Sequence, residues 1–148
     1  MKKGNIYWLT GSINDNRNIL SKWLVELLQT DKRNWRKTVF YLNESTLPSL
    51  SLGLIDDTST NHKNIQLITK YLHQMGCDVV VSTKDTNPIE LNSFKNTIDT
   101  DYFNQFHLTM GGNQIDSNSD VIEINIQKVK TEKSFTKIVN HLKDINKL

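Results

Sequence analysis

Residues 5–18 read Asn5-Ile6-Tyr7-Trp8-Leu9-Thr10-Gly11-Ser12-Ile13-Asn14-Asp15-Asn16-Arg17-Asn18. Asn5 to Thr10 is an apolar run closed by Gly11, the pattern of a buried strand. From Asn18 onward, Ile19, Leu20, Trp23, Leu24, Leu27 and Leu28 recur at helical spacing. Strand, short loop and amphipathic helix in direct succession open an alternating α/β fold. Outward from this unit the alternation continues. Lys37 to Leu42 predicts a second strand, followed by a loop from Asn43 to about Ser59. Ile65, Ile68, Leu72 and Met75 form a helix face, and Gly76 stands where a C-cap glycine belongs. Val79-Val80-Val81 reads as a central parallel strand. Pro88 opens a helix over Ile89–Ile98. Tyr102–Met110 and Val121–Ile126 are the last two strands, and Phe135, Ile138, Val139, Leu142 and Ile145 stripe a final helix. The expected fold is α/β: a mainly parallel five-stranded sheet with helices on both faces, in a single domain over residues 1–148.

Composition agrees with one ordinary domain. Leu, Ile, Val and Phe number 43 of 148 residues, well above the roughly 20% that marks disorder. No apolar run reaches the roughly 18–20 residues of a membrane span. The basic start leads into a short apolar run, so no signal peptide is expected, and a cytoplasmic location is. Cys77 is the single cysteine, which excludes an internal disulfide and a multi-cysteine metal site. The net charge of +2 is too small to argue for nucleic acid. The densest basic patch, Lys32-Arg33-Asn34-Trp35-Arg36-Lys37, reads as a solvated loop. The chain has no alanine and 17 asparagines, a bias that weakens arguments resting on one Asn. His62, His73, His107 and His141 lie in separate elements without metal-ligand spacing, so no metal site is expected.

In such folds ligands sit beyond the carboxyl ends of the strands. The loop after Thr10 has the position and length of a phosphate-binding loop, which runs from a glycine through four residues to Gly-Lys-Ser/Thr. Here the second glycine is Asn16, the lysine is Arg17 and the hydroxyl residue is Asn18. Asn16 tolerates a left-handed turn. Arg17 keeps the charge, but its planar fork does not fill the place of an ammonium. Asn18 lacks the hydroxyl that binds Mg²⁺. The helix N-terminus still offers N–H groups to an anion. A phosphate loop of altered chemistry and an ordinary strand–turn–helix corner both fit these residues. The candidate anion- or nucleotide-binding set is Gly11, Asn14, Asp15, Asn16, Arg17, Asn18 and Ile19.

Ile6-Tyr7-Trp8-Leu9-Thr10-Gly11 resembles the opening W-F-T-G of the adenylylsulfate (APS) kinases. Val39-Phe40-Tyr41-Leu42-Asn43-Glu44-Ser45 is similar to their V-Y-x-L-D-G-D, Leu52-Gly53-Leu54 to L-G-F, and Asn64-Ile65 to the N-I of D-R-x-x-N-I-R-R. Gln74 to Val81, Tyr102 to Thr109 and Val121 to Leu142 follow in order. The resemblance implies a phosphate-loop kinase fold, ATP and Mg²⁺ as cofactors, APS as substrate and a homodimer or a related subunit as partner. The departures cluster where that family does chemistry. Its first aspartate of D-G-D corresponds to Asn43 and its second to Ser45, while Glu44 is one position off. Its substrate-site arginine corresponds to Asn61, the two arginines after N-I are Gln66 and Leu67, and its long basic lid shrinks to Gly111–Asp120. Asn43, Leu54, Asn61, Asn64 and Ile65 are thus remnants of a substrate site, and no catalytic residue is expected from Asn43, Glu44 and Ser45. The resemblance with these departures implies a catalytically degenerate relative, binding ATP, ADP or another small anion with little or no dependence on Mg²⁺. An active phosphotransferase and a ligand-free interaction protein are the alternatives.

Overall fold

The computed structural model describes residues 2–11, 14–31, 37–44, 58–84, 88–109, 121–126 and 130–148. The strands are β1 (Ile6–Thr10), β2 (Val39–Asn43), β3 (Asp78–Thr83), β4 (Phe103–Thr109) and β5 (Val121–Asn125). The helices are α1 (Asn14–Thr30), α2 (Thr58–Gln74), α3 (Pro88–Lys95) and α4 (Thr131–Asp144), with a short 3₁₀ turn at Thr100–Tyr102. The five strands form one sheet in the order β2-β3-β1-β4-β5, and each neighbouring pair is parallel.

β1 lies at the centre and all five of its residues are buried, as its unbroken apolar run requires. Alternation sends its side chains to two cores. Tyr7 and Leu9 join Val80, Phe106, Leu108 and Ile124 under α1 (Leu20, Leu24, Leu28) and α4 (Ile138, Leu142). Ile6 and Trp8 join Val79 and Val81 on the other face, beneath Ile65 of α2 and Leu91 and Phe94 of α3. Trp8 also donates from Nε1 to Thr83 Oγ1 at 2.9 Å, which settles its one polar atom inside the core. At the amino end of the sheet, the buried Asp78 carboxylate accepts from the Asn5 amide at 2.7 Å and pairs with Lys37 at 3.5 Å. Burial, with the Asp78 charge as the next cause, pushes the Tyr7 phenol far above its ordinary range.

Several boundaries differ from the sequence reading. β2 extends to Asn43, which places that residue on the strand. α2 ends at Gln74, so Met75 lies in the following turn and is exposed instead of completing the buried face. The cause is a Schellman cap: the Cys77 amide donates to the Leu72 carbonyl and the Gly76 amide to the His73 carbonyl, with Gly76 at φ 87°. α3 stops at Lys95 instead of Ile98, because the Ile98 amide turns back to the Lys95 carbonyl. α4 likewise stops before Ile145. Cys77 is half-buried beside the Gly76 turn. The basic stretch at 32–36 lies outside the described residues. Among the described residues, no helix is long and apolar enough to cross a membrane.

Candidate functional site

The carboxyl ends of β1, β2 and β3 and the first turns of α1 and α2 converge on one polar cluster. Gly11 ends β1 with φ 140°, and a Cβ there would stand 2.7 Å from the Leu108 carbonyl oxygen. The glycine is needed both for its backbone angle and for this close approach to β4. α1 then begins at Asn14, so that Arg17 and Asn18 lie within its first turns.

Arg17, in the first turns of α1, is 3% exposed. Its Nε donates to Ser82 Oγ at 2.8 Å, and its Nη1 donates to the Gly11 carbonyl oxygen. The guanidinium therefore joins the loop after β1 to the end of β3. Ser82 Oγ in turn donates to Asn18 Oδ1 at 2.9 Å, and Tyr41 OH donates to the same oxygen at 3.3 Å. Asn43 Nδ2 completes the chain by donating to Tyr41 OH at 3.2 Å. Arg17, Ser82, Asn18, Tyr41 and Asn43 thus form one hydrogen-bonded line across three elements.

Glu44 follows directly after β2. Its Oε1 lies 3.1 Å from His62 Nε2 and accepts from the Lys84 amide. Burial pushes the Glu44 carboxyl upward, but the His62 and Lys84 hydrogen bonds, with the His62 and Arg17 charges, outweigh it and hold the group below its ordinary value. Next to this cluster, Thr10 Oγ1 and His107 Nδ1 are 2.8 Å apart.

The structure brings Gly11, Arg17, Asn18, Asn43 and Glu44 together. Asn16 and Asn64 are half-buried, and Ile19 is exposed on α1. Ile65 is wholly buried in the core beneath α2. Asn14, Asp15 and Asn61 lie in helices, but their side chains fall outside the described residues, as do Ser45 and Leu54 altogether. Tyr41, Ser82 and His62 were not singled out from sequence. His62 follows Asn61 at the start of α2, and that adjacency was the available signal. Ser82 directly follows the expected strand Val79–Val81, at whose carboxyl end ligands sit in such folds, but its partner Arg17 lies 65 positions away in the chain. His73 is 2% exposed, with Nδ1 2.5 Å from the Gly4 carbonyl oxygen. Among the described residues, no group of three or more His, Cys, Asp or Glu side chains could hold a metal ion.

No protein-family model matches the sequence, and no curated protein does. Solved structures match over 97% of the chain. The crystal structure of APE1195 superposes with a TM-score of 0.76 at 14% identity, over 97% of its own length. The hexameric APS kinase from Thiobacillus denitrificans gives a TM-score of 0.75 at 11% identity, and this chain spans 29% of that one. The Mycobacterium tuberculosis APS kinase CysC, solved in complex with AMPPNP and APS, gives 0.64 at 11% identity over 99% of its length. At these identities the likeness shows the fold: a five-stranded parallel α/β sheet of the APS kinase kind.

Proposed function

We propose that the chain is a binding or regulatory module of the APS kinase-like fold, which holds a small anion or nucleotide near the N-terminus of α1 and carries out no Mg²⁺-dependent phosphoryl transfer. One observation carries this reading. The cation at the phosphate-loop position, Arg17, directs Nε and Nη1 at its own chain, at Ser82 and at the Gly11 carbonyl. Phosphoryl transfer relies on positioned cations and metal to spread the charge of the transferred group. Here Asn18 stands in for the metal-binding hydroxyl, and its oxygen already accepts from Ser82 and Tyr41. Asn43 supplies an amide where a carboxylate serves metal and substrate in the family that the sequence resembles. The first amides of α1 keep their attraction for an anion.

The ligands of the Mycobacterium tuberculosis neighbour make ATP, ADP and APS the first compounds to try. One feature supports the competing reading of an active phosphotransferase: Glu44 is a carboxylate held in its charged form at the carboxyl end of β2. Titration calorimetry with ATP, ADP and APS, with and without Mg²⁺, is expected to give metal-independent binding. Coupled ADP release with ATP, Mg²⁺ and APS is expected to give no turnover. Turnover of about 1 s⁻¹ or more, lost in a folded Arg17→Ala variant, overturns the proposal. Silence with every ligand leaves a cytoplasmic scaffold. The resemblance also carries a homodimer or a related subunit as partner.

A further inference from the structure

Between α2 and α3 runs a groove of about 510 Å³, on the sheet face opposite α1. Small-molecule sites span about 300–1,000 Å³ and combine apolar walls with a few polar groups. This groove has both parts. Leu67 of α2 and Ile89 of α3 flank it, 67% and 75% exposed, and Phe94 lines it from the core. The polar groups are sorted by wall. Lys63, Gln66 and Lys70 follow one another at steps of three and four residues, so they form one line along α2. On the α3 wall stands Glu90. Gln66 lines the groove, yet its Nε2 is closed off from water and meets no acceptor among the described residues. A buried donor without an acceptor is costly, and native proteins seldom keep one without a reason.

We propose that the groove binds a small carboxylic acid with an unbranched apolar tail, one molecule per chain, its carboxylate on the α2 wall and its tail against Leu67, Ile89 and Phe94. Each part answers an observation. The carboxylate supplies the acceptor that Gln66 lacks, once the amide turns about its own side-chain bonds to meet it. Lys63 and Lys70, on either side of Gln66, supply the opposite charge. Glu90 repels a carboxylate, so the head is held to the α2 wall and the tail runs along the groove. The tail covers two apolar side chains that otherwise stand in water. An amine in place of the acid would meet two lysines and a donor instead of an acceptor. A purely apolar molecule would leave Gln66 as it is. The site stands apart from the anion reading, because α1 packs on the other face of the sheet.

Equilibrium dialysis of the full chain against octanoate, decanoate and dodecanoate tests the inference, with decyltrimethylammonium as the control of opposite charge. One acid is expected to bind per chain, with affinity rising about fourfold for each added methylene. Lys70→Glu is expected to weaken decanoate by about tenfold or more. Gln66→Leu removes the orphaned donor, so its melting temperature should hold or rise while decanoate affinity falls about tenfold. A glutamine with a merely structural role would lose stability and leave the affinity alone. No binding of any acid, an affinity indifferent to tail length, equal binding of the ammonium compound, or full affinity in Gln66→Leu overturns the inference. So does a concentration-dependent dimer in sedimentation that Leu67→Glu abolishes, since a second copy would then occupy the groove.

Discussion

Gly4 sits against the turn that joins α2 to β3. Its amide donates to the His73 carbonyl at 2.9 Å, its carbonyl meets the His73 ring, and a Cβ would stand 1.7 Å from the Cys77 carbonyl oxygen. Backbone on both sides leaves nothing flexible to move. Gly4→Ala is therefore expected to destabilise the fold by about 3 kcal/mol or more. Gly76→Ala, a strained φ without that collision, is expected to cost only about 1 kcal/mol. Urea midpoints separate the two. Glu44 gives a prediction with a sign. Its carboxyl lies below its ordinary value in the folded chain, so the charged form favours folding. That contribution is complete above the unfolded value of about 4.3 and is lost as pH falls through the folded one. Glu44→Gln should be less stable than wild type at neutral pH, and the two urea midpoints should converge in acid. A gap that persists at low pH would show that the charge is not the cause.

At the scale of the element, Arg17 ties α1 to the end of β3. Arg17→Ala removes a charged donor from two buried acceptors and is expected to cost on the order of 2 kcal/mol in urea unfolding. Arg17→Lys keeps the charge but loses the planar fork, so it should recover only part of that stability. The sequence located this loop and the charge it carries, because strand, glycine and helix are local patterns. It did not reveal the direction of the guanidinium, since the fork's acceptor on β3 is set by the sheet. The Glu44–His62 pair was hidden for the same reason. Glu44 belongs to the end of β2 and His62 to α2, and neither residue's neighbours in sequence announce the other. Helix ends behaved differently. The cap at Gly76 was legible because every atom in it comes from a few consecutive residues. Asn146 closes α4 by the same geometry at φ 60°, with the Lys147 amide on the Leu142 carbonyl, and its asparagine was one among 17.

Across the whole molecule, alternation of strand and helix patterns was enough to predict the parallel sheet, and the unbroken apolar run at β1 marked the strand that is buried on both faces. The segments outside the described residues hold Ser45, at the place of the family's second aspartate, Leu54, expected as a substrate-site remnant, and Gly111–Asp120, expected as a shortened lid. In native-state hydrogen exchange, amides of β1 and β3 should be the slowest and those of the outer strands β2 and β5 faster, since opening reaches the middle of the sheet last. The strand order also governs how the molecule comes into being. β1 and β2 do not touch; β3 stands between them and bonds to both. A nascent chain that has emerged only as far as residue 77 holds two strands with no partner to share. Sheet assembly must wait for Asp78–Thr83, and until then β1, every residue of which is buried in the finished fold, has nothing but helices, or a chaperone, to shield it from the cell.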